Sequence, residues 1–294
     1  MPTLHVDGLD VAYSVEGAGP PVVMLHGASS SAREDWSAQL PSFRKAFRVY
    51  LPDARGHGGT RWDAAQGFSN ELLVADLEGF VDGLGLTTFH LVGFSLGAMT
   101  ALTYATRHPA RLRTLLIAGI DTEREPRASV ARRLMDPDRI ERDEPAWAAQ
   151  LERRHGPVQG SGAWRSLMRA IAHDVATQPL LSPAALREIR VPTLLAYGDR
   201  DVFAPLPHVV ALYRQLPEAR LLVAPDCDHQ VMVSRPALFN DAAAAFYRET
   251  EAVARARASG VSGATQSTNR GGKRAPIPTA LPPLAEPSSK EAHP

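Results

Sequence analysis

Gly93-Phe94-Ser95-Leu96-Gly97 is the stretch of this chain whose residue types and spacing are best suited to chemistry. It joins an apolar run that reads as a strand, Phe89 to Val92, to an Ala/Leu/Met-rich run that reads as a helix, Ala98 to His108. In that setting a G-x-S-x-G pentapeptide is a nucleophile elbow, a sharp strand-to-helix turn that pushes the serine hydroxyl out above the sheet, where a substrate carbonyl can reach it. Glycines at 93 and 97 leave room for strand and helix to approach on either side of a strained serine. The following helix aims its N-terminal amides and the positive end of its dipole at any oxyanion that forms there.

A serine hydroxyl needs a base, and the elbow predicts an acid and then a histidine further along the chain, at the ends of later strands. Val191 to Tyr197 reads as a buried parallel strand that leads into Gly198-Asp199-Arg200-Asp201, and Arg220 to Ala224 reads as the next, leading into Pro225-Asp226-Cys227-Asp228-His229. Between them Leu206 to Leu216 has the apolar spacing of a crossover helix. Both loops therefore leave strand carboxyl ends, where open α/β sheets place their ligands.

With two further motifs the chain resembles the α/β-hydrolase superfamily. Leu25-His26-Gly27 follows the strand Pro21 to Met24, and Asp53-Ala54-Arg55-Gly56-His57-Gly58 follows the strand Arg48 to Leu51. The elbow, Gly198-Asp199-Arg200-Asp201 and Asp228-His229 complete the series in order, over roughly residues 3 to 248. The resemblance implies an α/β fold with a mostly parallel eight-stranded sheet, helices on both faces and a helical cap. It also implies Ser95 as nucleophile, His229 as general base, Asp201 as its orienting acid, and the backbone amides of Ala28 and Leu96 as the oxyanion hole. Asp199 and Asp121, the latter after the strand Thr114 to Ala118, stand as alternative acids. Asp-Cys-Asp precedes His229 where many relatives carry a glycine, and Asp226 and Asp228 read as turn residues.

The remaining polar residues have plainer readings. His26 and His57 are expected to brace loops around the site. The other histidines are scattered without metal-ligand spacing, and there is no H-E-x-x-H motif, so no metal is expected. Cys227 is the one cysteine, which excludes an intrachain disulfide. Gly56-His57-Gly58-Gly59 lacks the strand-to-helix context of a dinucleotide loop, and no cofactor is expected. Thirty-two basic residues balance 32 acidic ones, which leaves no net charge to attract nucleic acid or an anionic membrane. The amino terminus has no basic start with an apolar run behind it, and the expected location is cytoplasmic.

Residues 1–250 read as one catalytic domain in which strands and helices alternate. Between about 122 and 188 the pattern becomes helical and charged, and the resemblance makes this insertion the cap. Residues 251–294 are rich in Ala, Ser, Gly and Pro and read as a disordered tail. Candidate pocket residues are Trp36, Phe94, Trp147, Trp164, Val202, Phe203 and Val231, with Met135 and Met168. Such a pocket is apolar and of modest size, which suggests a small or medium ester or lactone cleaved through an acyl-enzyme and gives no case for a charged substrate. Carbon–carbon bond hydrolysis and cofactor-free perhydrolysis are alternatives on the same scaffold, since fold does not fix function, and a ligand-binding receptor is the non-enzymatic one. A carbon–carbon hydrolase is distinguished by arginine in the pocket to hold a carboxylated dienone. The partner expected is a small molecule; the oligomeric state is left open.

Overall fold

Phe89–Phe94 and Thr193–Gly198 are buried at every position, as strands must be when both faces of a parallel sheet are covered. In the computed structural model, which describes residues 1–258, they belong to an eight-stranded sheet. Its strands are β1 (Thr3–Val6), β2 (Leu9–Glu16), β3 (Pro21–Leu25), β4 (Arg48–Pro52), β5 (Phe89–Phe94), β6 (Leu112–Ala118), β7 (Thr193–Gly198) and β8 (Ala219–Ala224). They lie in the order β1-β2-β4-β3-β5-β6-β7-β8. β1 and β2 pair antiparallel, β2 pairs antiparallel with β4, and every later pairing is parallel.

The helices are α1 (Ala32–Asp35), α2 (Leu40–Phe43), α3 (Asn70–Gly83), α4 (Leu96–Arg107), α5 (Arg127–Leu134), α6 (Pro137–Asp143), α7 (Pro145–Gln159), α8 (Trp164–Thr177), α9 (Pro183–Arg187), α10 (Leu206–Gln215), α11 (Val231–Ser234) and α12 (Pro236–Ala258). Alternate strand residues face opposite cores. Val23, Leu25, Leu91, Leu115 and Leu195 pack with Leu77 and Phe80 of α3, Leu102 of α4 and Val209 of α10. Val22, Met24, Val92, Leu116 and Leu194 pack on the other face with Phe43 of α2 and Phe239 and Phe246 of α12. A third core, built from Ala131, Ile140, Leu151, Trp164, Leu167, Met168, Ile171 and Val175, holds together the helices inserted between β6 and β7.

The sheet order fixes where a site can form. β4 lies on one side of β3 and β5 on the other, so the chain reverses its direction of travel across the sheet at β3/β5. Strand carboxyl ends open a crevice at such a switch point, and the His26-Gly27 loop and the elbow both emerge there.

The chain divides into two units, Met1–Glu251 and Ala252–Pro294, and the first holds the sheet and all of the residues discussed below. The expected tail lies almost wholly outside the described residues.

Four candidate pocket residues are core residues instead. Trp36 and Val231 are fully buried on the α12 side of the sheet, Trp36 with its ring 6.2 Å from that of Phe239. Trp164 and Met168 fill the third core, which the inserted helices need because each exposes an apolar stripe. Truncating a fully buried tryptophan costs about 3–5 kcal/mol. Trp36→Ala is therefore expected to lower unfolding free energy by that amount in urea denaturation while leaving the KM of the folded fraction unchanged.

Candidate active site

Ser95 sits at φ 50° and ψ −110°, a backbone conformation that L-residues avoid. Its surroundings impose it. A Cβ added at Gly93 would lie 2.4 Å from the Gly97 carbonyl oxygen, and one at Gly97 would lie 2.6 Å from the His26 carbonyl oxygen. The Ser95 N–H donates to the Ala118 carbonyl at 2.9 Å and the Gly97 N–H to the His26 carbonyl at 3.1 Å, which ties the elbow to the ends of β6 and β3.

The loops after β7 and β8 deliver an acid and an imidazole to this serine. The Ser95 hydroxyl donates to His229 Nε2 at 3.0 Å, and His229 Nδ1–H donates to Asp201 Oδ2 at 2.9 Å. The Asp201 carboxylate is further held by the N–H groups of Phe203 at 2.8 Å and Ala204 at 3.2 Å, so its orientation does not depend on the histidine. The other acids are engaged elsewhere. Asp121 lies 2.6 Å from His208 Nδ1, Asp199 accepts from the Cys227 N–H at 3.0 Å, Asp226 pairs with Arg200, and Asp228 accepts from the Ser234 hydroxyl. The arrangement can move a proton from serine to imidazole and stabilise the resulting imidazolium.

The backbone N–H groups of Ala28 and Leu96 find no acceptor among the described residues, and both residues border the cavity that contains Ser95. The Ala28 loop is braced. Ala54 N–H donates to His26 Nε2 at 3.0 Å, which leaves Nδ1–H to donate to the Gly27 carbonyl at 2.7 Å, and the Gly27 N–H donates to Asp35 at 2.8 Å.

Two cavities meet at Ser95. The inner chamber is lined by Ala28, Leu96, Met99, Ile120, Ala131, Met135, Ile171, Val175 and Phe203, with Arg127 and Gln178 as polar members beside Ser95. The larger outer groove is bordered by Phe94, Met135, Trp147 and Phe203 together with Glu34, Asp35, Glu144, Asp228 and Arg154. Phe94, Trp147 and Phe203 thus stand where pocket residues should, with the Phe94 and Phe203 rings 5.0 and 4.5 Å from the His229 ring. Val202 is 54% exposed and borders neither cavity.

Arg127 was not singled out by sequence. It is 3% exposed, its Nε donates to the Glu123 carbonyl at 3.3 Å, and its Nη2 has no partner. No carboxylate lies within ion-pair distance of it among the described residues, although Asp121 and Asp174 offset part of its charge from further away. Burial holds its pKa below the usual arginine value. The signal lay in its spacing: Arg127, Ala131 and Met135 follow one another at i, i+4 and i+8, which puts the guanidinium on the apolar face of α5.

Comparison with known proteins gives this geometry a family. The profile of the alpha/beta hydrolase family matches residues 22–242. The chain belongs to the alpha/beta hydrolase family. It is 30% identical over 258 residues to a 2-hydroxymuconate semialdehyde hydrolase of a Pseudomonas species, covering 81% of this chain and 90% of that one. It is 29% identical over 248 residues to a 2-hydroxy-6-oxo-2,4-heptadienoate hydrolase of Pseudomonas putida, covering 78% of this chain and 89% of that one. Among solved structures an enol-lactonase from Burkholderia xenovorans superposes with a TM-score of 0.68 at 23% identity, covering 84% of this chain and all of that one, a likeness of fold.

Three histidines lie buried beside the catalytic loops of this hydrolase. The His26 and His57 rings are 4.9 Å apart and those of His57 and His155 are 5.5 Å apart. No group of His, Cys, Asp and Glu suited to a metal ion occurs among the described residues. No helix among them is long and apolar enough to cross a membrane. Burial pushes the pKa of His57 far below that of a free imidazole and that of His155 down to about 4. His90, buried against Thr114 in the sheet, is pushed down to about 3. An imidazole held neutral in the folded state protonates more readily in the unfolded chain, so stability is complete above the unfolded value of 6.5 and declines as pH falls below it. For His155 the loss accumulates down to about pH 4 and is on the order of 3 kcal/mol. Urea midpoints measured from pH 7 to pH 4 are expected to fall steadily, and less steeply in His155→Gln.

Proposed function

We propose that this hydrolase cleaves a carbon–carbon bond beside a ketone in a substrate that carries a carboxylate, with Ser95 as nucleophile, His229 as base, Asp201 as its orienting acid and the Ala28 and Leu96 amides as the oxyanion hole. The helices inserted between β6 and β7 act as the cap. Arg127 carries the reading. A neutral ester or lactone has no use for a buried guanidinium with an unpartnered nitrogen, whereas a carboxylated dienone does. The relatives named for 2-hydroxy-6-oxo-dienoates support the same reading over ester or lactone hydrolysis.

The chemistry follows from electron demand. A carbon–carbon bond beside a ketone breaks under nucleophilic attack only when the departing carbon can carry the electron pair. In a hydroxy-oxo-dienoate, the enol beside the carboxylate becomes a ketone as a proton is taken up on the carbon next to the distal ketone. Ser95 then adds to the distal ketone while His229 takes its proton, and the oxyanion is held by the two amides, each worth about 3 kcal/mol. Collapse expels an electron pair that delocalises along the chain onto the oxygen beside the carboxylate, where Arg127 stabilises it, and His229 returns the serine proton to that departing dienolate, which leaves the imidazole neutral again. The acyl group remains on Ser95 until water, activated by His229, releases it. In this orientation the dienoate occupies the inner chamber and the acyl substituent the outer groove.

The direct test is to supply 2-hydroxy-6-oxo-2,4-heptadienoate and follow the loss of its dienol absorbance, with p-nitrophenyl acetate and simple lactones in parallel. Turnover of the dienoate with the highest kcat/KM is expected. An enzyme that hydrolyses neutral esters or lactones and leaves dienoates untouched overturns the reading. Ser95→Ala should give a folded protein with turnover down by roughly a millionfold. Asp201→Asn should reduce kcat by about four orders of magnitude, and Asp121→Asn by less than tenfold. Arg127→Gln should lower kcat/KM for the dienoate by roughly 30–150-fold, equivalent to about 2–3 kcal/mol, with little change for p-nitrophenyl acetate.

A further inference from the structure

Ala28 contributes one of the two oxyanion amides, and the loop that carries it is fastened on both sides. Upstream, His26 and Asp35 hold the Gly27 peptide groups, as described above. Downstream, both fastenings come from α7. The Ser29 carbonyl accepts hydrogen bonds from the Arg154 guanidinium and, at 3.3 Å, from His155 Nε2–H. Ser29 has φ 63°, a left-handed conformation that a serine keeps only when its neighbours hold it. The Gly58 N–H donates to His155 Nδ1 at 3.1 Å, which makes Nε2 the protonated nitrogen and directs it at Ser29. Arg154 is itself fixed by the Glu34 carboxylate. Fully buried, His155 borders neither the inner chamber nor the outer groove, so it has no route to the substrate by contact.

We propose that His155, backed by Arg154, is a positioning residue for the oxyanion hole. The inserted helix α7 holds the Ser29 carbonyl, and through it the turn that presents the Ala28 N–H to the reacting carbonyl. Placement of the insertion over the site and presentation of the Ala28 N–H then depend on the same hydrogen bonds. This rests on the Ser95 reading above. Loss of one oxyanion donor costs roughly 100–1000-fold in turnover, and a donor left present but misaligned should cost less, about 10–100-fold.

The test compares wild type, His155→Ala, His155→Gln and Arg154→Gln, with p-nitrophenyl acetate and with 2-hydroxy-6-oxo-2,4-heptadienoate. His155→Ala is expected to lower kcat by roughly 10–100-fold on both while KM stays within about threefold. Affinity for phenylboronic acid, whose serine adduct puts an anionic oxygen in the hole, should weaken by a similar factor. His155→Gln, which can accept from Gly58 and donate to Ser29, should recover most of the kcat, and Arg154→Gln should fall between the two. The proposal is overturned if folded His155→Ala keeps its kcat and its boronate affinity, or if glutamine and alanine lose activity equally and only in step with melting temperature. Absence of any Ser95-dependent turnover in the wild type would instead remove the hydrolase reading beneath it.

Discussion

The whole site hangs on a steric constraint: three backbone segments that touch because two of them carry no side chain. Gly93 lies against Gly97 and Ala98 across the elbow, and Gly97 lies against the last residues of β3. That contact brings the ends of β3, β5 and β6 to one point, where the Ser95 and Gly97 amides bond to the Ala118 and His26 carbonyls. A left-handed serine costs of the order of 1–3 kcal/mol. Surrounding packing offsets it, and the strain leaves Oγ projecting at the mouth of the chamber. The loop that carries Ala28 then lies beside Ser95 because it begins at the end of β3, and Gly119 borders the chamber because it follows β6. Loops after β7 and β8 need only be long enough to bring Asp201 and His229 to a hydroxyl whose position is already set.

Charge is divided between the two cavities in a way that orients a substrate. In the inner chamber the ionisable group is Arg127; the outer groove carries Glu34, Asp35, Glu144 and Asp228 against a single Arg154 that Glu34 already engages. A guanidinium removed from water without a close counter-ion is unfavourable by several kcal/mol. Local secondary structure gives no reason to keep it: α5 would be equally well formed with an apolar residue on that face. Such a local violation of folding logic is expected where function requires it. The same asymmetry disfavours an anionic group in the outer groove, which is the physical ground for placing the carboxylate of the proposed substrate inward.

Sequence made the skeleton legible because two kinds of signal agreed. Buried apolar runs marked the parallel strands, and the functional positions lie at fixed places on their carboxyl ends, which is why Ser95, Asp201 and His229 could be named and why the structure brings their side chains within hydrogen-bonding distance of one another. Aromatic residues were less readable. Trp36, Trp164, Phe94 and Phe203 have similar composition cues, yet the first two fill cores and the others face the cavities, a difference set by which side of each element turns inward. Asp121 occupies a strand-end position suited to an acid, but the α10 residue His208 engages it, a contact between segments 87 residues apart that periodicity does not encode. Arg127 was hidden among Arg124, Arg132 and Arg133; a helical arginine reads as solvated unless its spacing against Ala131 and Met135 is weighed.

The helices between β6 and β7 supply more of this enzyme's character than a lid would. α5 contributes Arg127 and α8 contributes Ile171 and Val175 to the inner chamber, while α7 contributes Trp147 to the outer groove and holds the Ser29 carbonyl. Loops on the strand ends of the sheet carry Ser95, His229, Asp201 and both the Ala28 and Leu96 amides, the set proposed above as nucleophile, base, acid and oxyanion hole. On the function proposed above, selection among carbonyl substrates comes from the insertion, through the charge it buries and the loop it fastens. Arg154 and His155 are adjacent on one helix that also walls the groove, so the groove wall and the loop carrying Ala28 share one support. On the role proposed for His155, recognition and transition-state stabilisation draw on the same helix.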